Sequence, residues 1–333
     1  MKIVQLRQPG GPEVLEYTDV PLPEPGPRQV RVRAHAIGVG KPDVLIRQGN
    51  YKWMPPLPAV PGNELAGVVD ALGTDVLPSM MGQRVLVSSR ELPQRGGCYA
   101  EAVCVPADAV YALPSAVSFQ DAVSAPNVQL AGALLYESGA RPPKSILVHG
   151  AAGGVAGALL QLAQADGLLA IGTVSDAAKF NFARASGAQH LINRATQNVQ
   201  EAVMALTHGR GVDMVLDHLG GPGFTGNLDL LAPRGTLLSY NALAGLPHEN
   251  LLGEMRRLLG KSLGVRCYSI HTLDADPDVR RGLMERAISL MAQGRIRAPM
   301  MTALPLSAAS QAHQMLDSAQ TLGKIVLTPS PTL

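Results

Sequence analysis

The stretch Ser145–Gln164, "SILVHGAAGGVAGALLQLAQ", decides how the rest of this sequence is interpreted. A short run of branched apolar residues, typical of a buried strand, leads into a cluster of glycines and alanines and then into an apolar helical pattern. Such a turn places backbone amides and a helix N-terminus where they attract a pyrophosphate. The three glycine positions of the dinucleotide-binding pattern hold Ala151, Gly153 and Ala156, so the turn alone fits a dinucleotide site or tight strand-to-helix packing equally well. The candidate cofactor contacts in the turn are Ala152, Gly153, Gly154 and Val155.

Downstream, short apolar strands alternate with helical stretches. Helices are predicted from about Val155 to Gln164 and then through Ala185, and Gly187, Gly209 and Gly211 stand where helices should end. The predicted strands are "SILVHG", "LLAIGTV", "HLIN", "VDMVLDHL" and "GTLLSYNAL". This alternation is typical of a parallel sheet with crossover helices, and in that setting the glycine turn favours a dinucleotide.

Upstream, residues 1 to about 119 contain short strands separated by proline and glycine. They are "KIVQL", "VLEYTDV", "QVRVRAHAIGV", "ELAGVVDALG", "QRVLVSS" and "CYAEAVCV". This pattern, without regular helices, predicts a compact barrel or sandwich. The C-terminal helix–strand–helix–strand pattern, ending in "GKIVLTP", is too short for a domain and is predicted to pack back on the barrel. We therefore predict an α/β protein with one discontinuous domain, 1–121 with 269–333, and a second domain, 122–268.

The residues after the second strand of the alternating region distinguish NADPH from NADH. An NADH site usually has a carboxylate about 20 residues after the glycines, which accepts the ribose 2′-hydroxyl. That place falls near Val174, and the donors nearby, Ser175, Lys179 and Arg194, suit a 2′-phosphate. The sequence therefore favours NADPH. Alternatively, Ser175 or Asp176 only caps the next helix, Lys179 is a solvated charge, or a shift of two residues brings Asp176 to the carboxylate position.

The composition favours small molecules as ligands. A formal net charge of +2 and an aromatic content of 4% argue against nucleic acid and anionic membranes as partners. Cys98, Cys104 and Cys267 are odd in number and widely spaced, which suits neither a disulfide framework nor a zinc knuckle. The start of the chain becomes polar within five residues and lacks the apolar core of a signal peptide. We therefore expect a cytoplasmic protein.

A membrane helix is the other interpretation of the glycine stretch, because no Asp, Glu, Lys or Arg lies between Lys144 and Asp166. The apolar run before the glycines is short, however, and Gln161 and Gln164 would face lipid. The sequence therefore favours a protein without a membrane span.

The whole chain resembles the medium-chain dehydrogenase/reductase superfamily, in its zinc-independent quinone oxidoreductase branch that includes zeta-crystallin. The resemblance rests on "PGGPEVLEYTDVPLPEPGPRQVRVRAHAIGVGKPDVLIRQGNY", "LPAVPGNELAGVVDALG", "GGCYAEAVCVPADAVYALP", "LVHGAAGGVAGALLQLA" and "TLGKIVL". It implies a GroES-like β-barrel domain, a Rossmann domain and an active site in the cleft between them. It also implies a homodimer or homotetramer formed through the edge of the Rossmann sheet.

The zinc-bearing relatives place a cysteine early in the segment matched by "GVGKPD", a histidine inside "PGHE", and a third ligand further on. In this sequence the first segment has no Cys or His, the second place is Asn63 and the third is Asn127. Zinc prefers thiolate, imidazole or carboxylate ligands. The cluster of four cysteines of those relatives is also missing from "SSRELPQRGGCYAE". We therefore expect no metal, with Asn63 lining the substrate pocket and Glu64 ordering nearby backbone or a basic side chain.

The resemblance also indicates further pocket residues. Tyr51 matches the tyrosine of the family's R-x-G-x-Y segment. It either supplies a catalytic hydroxyl that hydrogen-bonds a reduced oxygen or is an ordinary half-buried tyrosine of the barrel. Gly40 stands where the family has an asparagine near the nicotinamide, which leaves the family's substrate preference open. Asp43 follows it in the pocket segment, residues 40–64, which is predicted to build the substrate pocket together with Asn127. Arg47 either holds an anionic group or pairs on the surface, and Trp53 either lines the substrate mouth or pins its loop.

On the cofactor side, Tyr240 and Asn241 end a strand whose loop approaches the nicotinamide carboxamide in the family. Asn127 is predicted beside the nicotinamide. Lys324 either faces the cofactor phosphates or is a plain strand-edge lysine. His149 is predicted to be a packed histidine rather than a general acid.

Without metal ligands, the remaining chemistry is hydride delivery to an acceptor that is already electron-poor. The leading hypothesis is an NADPH-dependent quinone reductase. Reduction of α,β-unsaturated carbonyls (enals, enones or enoyl thioesters) is the nearest alternative. A non-catalytic dinucleotide-binding protein is the second.

Overall fold

The computed structural model describes residues 1–318 and 321–329. The chain forms two compact units. Unit 1 consists of Met1–Pro126, Glu285–Gln293 and the described part of Ala298–Leu333, and unit 2 consists of Asn127–Met284 and Gly294–Arg297.

The strands and helices are numbered here in chain order. The strands are β1 Lys2–Gln5, β2 Glu16–Asp19, β3 Gln29–Val39, β4 Glu64–Leu72, β5 Arg84–Ser88, β6 Ala102–Pro106, β7 Val110–Ala112, β8 Ser145–Val148, β9 Leu169–Val174, β10 His190–Asn193, β11 Val212–Asp217, β12 Leu231–Ser239, β13 Gly264–Cys267, β14 Met301–Pro305 and β15 Lys324–Thr328. The helices are α1 Lys41–Arg47, α2 Phe119–Ala122, α3 Ala125–Gly132, α4 Gly154–Ala165, α5 Ala177–Ala185, α6 Val199–Leu206, α7 Leu251–Arg257, α8 Pro277–Ala292 and α9 Ala309–Asp317.

Unit 1 is built around a sheet in the order β14-β15-β3-β4-β5-β7, with β6 also pairing with β3. β15 runs antiparallel to β3, with Ile325 opposite Val39, so the C-terminal strand does pack back on the N-terminal strands as predicted. Fully buried Val, Leu and Ile side chains from β3, β4, β5 and β15 form the core of this unit. The predicted β-rich organisation of the N-terminal region is confirmed.

Unit 2 contains a six-stranded sheet in the order β10-β9-β8-β11-β12-β13, and every pairing in it is parallel. The strand order reverses beside β8, and in such sheets ligands bind at the carboxyl ends of the strands next to this point. The glycine turn follows β8 directly. The predicted Rossmann sheet is therefore confirmed, and its first strand ends at the turn.

One helix corrects the expectation that the N-terminal region lacks regular helices. α1 begins after Gly40, whose backbone N–H donates to Oδ2 of Asp43 at 2.8 Å, and Pro42 occupies its first turn. This capping arrangement and a favourable proline position start a helix even in a short segment. The helix carries two of the predicted pocket residues, Asp43 and Arg47, and a third, Gly40, is its N-cap.

No helix in residues 1–318 and 321–329 is both long enough and apolar enough to span a membrane. α4, which holds most of the apolar glycine stretch, is 12 residues long.

Candidate active site

The glycine turn closes the carboxyl end of β8 and opens α4. Ala151 N–H donates to the carbonyl of Thr173 on β9 at 2.8 Å, and Gly153 N–H donates to the carbonyl of Gly150 at 2.8 Å. Gly153 caps α4 with its backbone alone, because it has no side chain to accept a bond. The first amides of a helix have no partner within the helix, so those of Gly154 and Val155 are left for a bound anion.

Gly154 lies against the side chain of Asn127 on α3. A Cβ placed on Gly154 would lie 2.7 Å from Nδ2 of Asn127. A larger residue would therefore push Asn127 aside or fill the cradle at the helix start. The predicted contacts Gly153, Gly154 and Val155 thus form a turn that fits a pyrophosphate, with Asn127 beside it.

The three predicted phosphate donors lie in the segments that follow β9 and β10. Val174 is the last residue of β9, as the dinucleotide pattern requires, and it lies opposite Asn193 of β10. Arg194 N–H donates to the Val174 carbonyl at 3.0 Å, which places Arg194 next to Ser175. Ser175 and Arg194 therefore follow two neighbouring strands at the edge of the sheet where a ribose 2′-phosphate is expected.

Asp176 is the N-cap of α5, and its Oδ1 accepts from Lys179 N–H at 2.8 Å. Its other oxygen accepts from Ser175 Oγ at 3.0 Å and lies 3.2 Å from Lys179 Nζ. The helix amide and these partners lower the pKa of Asp176. The capping alternative is therefore confirmed for Asp176. Arg194 is exposed and has no side-chain partner in the part of the chain that the structure describes.

A hydrogen-bonded chain fixes His149 beneath the turn. Asp217 Oδ2 accepts from Nδ2 of Asn227 at 3.0 Å, so the Asn227 amide oxygen faces Nε2 of His149 at 2.7 Å. Nε2 must then carry the proton, and Nδ1 accepts from the Thr173 hydroxyl at 2.9 Å. Both ring nitrogens are used, which confirms that His149 is a packed histidine. The roles of Thr173, Asp217 and Asn227 were not visible in the sequence, although an acid at the end of a buried strand is a usable signal.

Tyr240 and Asn241 follow β12 at the same edge of the sheet. The Tyr240 ring packs 5.6 Å from that of His218, and burial raises the pKa of its hydroxyl. Burial also lowers the pKa of His218. Asn241 is exposed, and its side-chain oxygen accepts from Ala242 N–H at 2.9 Å.

In unit 1, Asp43 accepts hydrogen bonds from several residues of the pocket segment. Its side chain is buried, and its carboxylate accepts from the N–H groups of Gly40 at 2.8 Å and Gly62 at 3.1 Å and from Nδ2 of Asn63 at 2.6 Å. Gly62 has a φ of +99°, a conformation that favours glycine. The buried Asp43 carboxylate therefore holds the Gly40 backbone and the Asn63 side chain in place. This corrects the expectation that Asp43 itself lines the pocket.

The charges around Asp43 are paired or buried. Glu64 and Lys324 form a salt bridge of 2.5 Å. This confirms that Glu64 orders a basic side chain, and it gives Lys324, which is 5% exposed, a protein partner in place of the expected cofactor phosphates. Burial, together with the Glu64 carboxylate, raises the pKa of Asp43 to about 7 against the opposing effect of its hydrogen bonds.

Arg47 differs from both expectations for it. Its side chain is 1% exposed, and Nη2 lies 2.8 Å from Oδ2 of Asp317 on α9. The helix α1 turns it inward because it lies one turn after the buried Asp43 and Val44. The guanidinium thus ties α1 to α9 inside the unit, and it neither pairs on the surface nor lines a pocket.

Tyr51 and Trp53 pack on each other. Their ring centroids are 5.7 Å apart in an edge-to-face arrangement, and Tyr51 is half-buried against the core of unit 1. Lys52 places its ammonium 5.4 Å from the Trp53 ring. Trp53 therefore packs on neighbours within its own loop, while its predicted place at the substrate mouth and the predicted role of the Tyr51 hydroxyl stay predictions.

Within residues 1–318 and 321–329, no three or more His, Cys, Asp or Glu side chains cluster in a way that could hold a metal ion. Asn63 donates to a carboxylate and accepts from Ser89 Oγ, and Asn127 lies against the glycine turn. The residues at the positions of the zinc ligands therefore do not fit zinc.

Known proteins are similar to this chain in sequence and in fold. Residues 26–115 match the family of alcohol dehydrogenase GroES-like domains, and residues 186–327 match the zinc-binding dehydrogenase family. The chain is 35% identical to a quinone oxidoreductase of Pseudomonas aeruginosa, over 98% of this chain and 99% of that protein. It is 31% identical to a 2-haloacrylate reductase of Burkholderia, over 97% and 98%.

Among solved structures, the Escherichia coli quinone oxidoreductase complexed with NADPH superimposes with a TM-score of 0.84 at 30% identity, covering 99% of this chain and 100% of that one. The similarity extends over both units and includes the GroES-like barrel and the parallel sheet. The chain therefore belongs to the zinc-independent quinone oxidoreductase family of the medium-chain dehydrogenase/reductases.

Proposed function

We propose that this NADPH-dependent oxidoreductase reduces quinones. The observation that carries the proposal is the chemistry of the residues at the positions of the zinc ligands. Two neutral amides, Asn63 and Asn127, stand there. Asn63 and the Tyr51 hydroxyl can bond an oxygen, but they cannot replace a Lewis acid. Such a site suits acceptors that are electron-poor before they bind. The quinone oxidoreductases among the relatives support the same substrate class.

Bound NADPH supplies the hydride. We propose that Arg194, Lys179 and Ser175 hold its 2′-phosphate, because these donors follow β9 and β10 and the last residue of β9, Val174, carries no carboxylate. The Asp176 carboxylate, which pairs with Ser175 and Lys179, caps α5. The turn Ala152–Val155 would hold the pyrophosphate through backbone amides and the dipole of α4. Tyr240 and Asn241, which end β12, would position the nicotinamide together with Asn127.

Reduction of α,β-unsaturated carbonyls is the second candidate. The 2-haloacrylate reductase among the relatives favours it, since that name describes an activated carbon–carbon double bond as the acceptor. Gly40, which replaces the asparagine expected in this family, leaves more room in the pocket segment for either acceptor. Enals, enones and enoyl thioesters belong to the same class.

The two candidates separate in a single assay. We expect NADPH absorbance to fall with 1,4-benzoquinone and 9,10-phenanthrenequinone faster than with an enal, a 2-haloacrylate or crotonyl-CoA. Faster oxidation with the double-bond acceptors would replace the quinone proposal with the second candidate. NADPH binding without oxidation by any acceptor would contradict both and support a non-catalytic protein.

We also propose that the chain forms a homo-oligomer through the β13 side of its parallel sheet. Among residues 1–318 and 321–329, β13 pairs only with β12, which leaves its other edge open. Nearby in sequence, four leucines are exposed by 53% to 74% of their surface. They are Leu243, Leu246, Leu252 and Leu259. An open edge beside exposed apolar side chains is typical of a subunit interface.

Replacing Leu246 and Leu259 by glutamate is expected to reduce the native mass to that of a monomer, because buried charges would have no partner. Light scattering after size exclusion measures this. Leu77→Glu is the matched control, since Leu77 is 71% exposed in unit 1 and Leu246 is 74% exposed. A wild type that is already monomeric would contradict the proposal.

A further inference from the structure

The side chain of Asn63 is held in one orientation from two sides. Nδ2 donates to Oδ1 of Asp43 at 2.6 Å, and Oδ1 accepts from the hydroxyl of Ser89. The backbone is fixed as well, because the Asn63 carbonyl accepts from Ser89 N–H at 2.9 Å. Two separate segments, around Asp43 and around Ser89, therefore determine where this amide points.

The hydrogen bonds also determine which end of the amide is which. Above its pKa of about 7, the ionised Asp43 carboxylate can only accept, so the NH₂ group must face it. Asp43 is itself fixed by the N–H groups of Gly40 and Gly62 and cannot turn to another partner. The side chain of the next residue, Glu64, is paired with Lys324.

Nδ2 carries two hydrogens, and only one of them is bonded to Asp43. The second has no partner among residues 1–318 and 321–329, and Asn63 is half-buried rather than enclosed. An amide that already donates to a carboxylate and accepts from a hydroxyl belongs to a polarised chain of hydrogen bonds. The structure thus presents one oriented, unused N–H donor in the pocket segment.

We propose that this second N–H of Asn63 bonds the acceptor oxygen on which negative charge develops during reduction. The inference rests on the proposed function. Transfer of one hydride to a quinone gives the hydroquinone monoanion and oxidises NADPH to NADP⁺, and a proton from water then gives the hydroquinone. Asn63 stabilises the anionic oxygen before that proton arrives. Asp43 and Ser89 are positioning residues that act through Asn63.

This role has a signature that simple packing does not share. A donor aimed at developing charge matters most for acceptors that stabilise the charge poorly by themselves. Loss of the donor should therefore slow an enal much more than 1,4-benzoquinone. A residue that only shapes the pocket would affect both acceptors by a similar factor.

Asn63→Leu keeps the approximate shape of the side chain and removes the donor. At pH 8, we expect kcat with the enal to fall about 100-fold. The factor by which kcat with 1,4-benzoquinone falls should be several times smaller. NADPH affinity, measured by fluorescence, should stay unchanged. Ser89→Ala leaves the bond between Asn63 and Asp43 in place. It should also reduce kcat more with the enal than with 1,4-benzoquinone, but by smaller factors. Asn181→Leu, at an exposed position of α5, is the control.

An equal loss with both acceptors in Asn63→Leu, or no loss, would overturn the inference. If this variant does not fold, Asn63→Ala is judged by the same criterion. If no acceptor is turned over, the proposed function is refuted, but the donor role of Asn63 is not. A binding measurement then tests that role. The wild type should bind 4-nitrophenolate about tenfold more tightly than the variant and nitrobenzene equally. Equal binding of 4-nitrophenolate would also overturn the inference.

Discussion

Replacing Arg194 by alanine is expected to raise KM for NADPH about 30- to 100-fold while leaving kcat nearly unchanged. Arg194 is exposed, has no side-chain partner in the described part of the chain, and lies beside the end of β9. A hydrogen bond to a charged group contributes about 1.5–3 kcal/mol. Arg194→Ala removes such a bond equally from the ground state and the transition state, so KM rises while kcat stays nearly unchanged. Lys179→Ala should have a smaller effect, because Lys179 already pairs with Asp176 and Ser175.

The matched measurement is KM for NADH. It should stay within about twofold of the wild type, because NADH has no 2′-phosphate for Arg194 to bind. Arg184→Ala, on the exposed side of α5, is the control for a change of charge. If KM rose equally for NADPH and NADH, Arg194 would not be a 2′-phosphate ligand, and the cofactor preference would have to reside elsewhere.

The second expected result is a loss of stability on mild acidification that depends on His313. His313 is fully buried on α9, and Nε2 lies 3.0 Å from the Tyr99 hydroxyl. Burial, with a further contribution from the nearby Arg47 charge, lowers the pKa of His313 from 6.5 to about 4. In the unfolded chain the imidazole would regain its ordinary pKa. The unfolded state therefore binds the proton first as the pH falls.

The stabilising contribution of neutral His313 is complete above pH 6.5 and is lost between about pH 6.5 and pH 4. Each pKa unit corresponds to about 1.4 kcal/mol, so about 2.5 kcal/mol should be lost by pH 4.5. Urea unfolding at pH 7 and pH 4.5 measures the difference. His313→Gln can keep a bond to Tyr99 without titrating, and it should lose about 2.5 kcal/mol less than the wild type over this range.

His208→Asn serves as the control, since His208 is exposed and asparagine tolerates its φ of +51°. This variant should follow the wild type at both pH values. Identical pH dependence in His313→Gln and the wild type would contradict the prediction, and it would indicate that His313 titrates alike in the folded and unfolded states.

The parts of the fold that follow local patterns were predictable. The strand ending at Val174, the helix ending at Ala185 and the glycine turn after β8 each depend on residues within one supersecondary unit. Branched apolar runs and glycine-rich turns favour such units regardless of the rest of the chain. α1 was missed because it is 7 residues long, and its start depends on a bond between Gly40 and Asp43 rather than on periodicity.

The cofactor side of the site was also largely local. Ser175 and Arg194 come together because neighbouring parallel strands end at the same edge of a sheet. The sequence could not decide what Asp176 does, since a cap and a ribose ligand need the same residue type at almost the same place. The observed cap uses its carboxylate for the start of α5.

By itself, then, the sequence determined the family, the two types of sheet, the glycine turn and the lack of a zinc ligand set. Only the tertiary structure decided the partners of the buried charges. Arg47 meets Asp317 across 270 residues, and Lys324 meets Glu64 across 260. A charged side chain removed from water must find an opposite charge or a hydrogen bond, but many residues in the sequence could supply one. Which one does so is set by the packing of distant strands and helices, and that packing also turned Asp43 from a pocket residue into the support of Asn63.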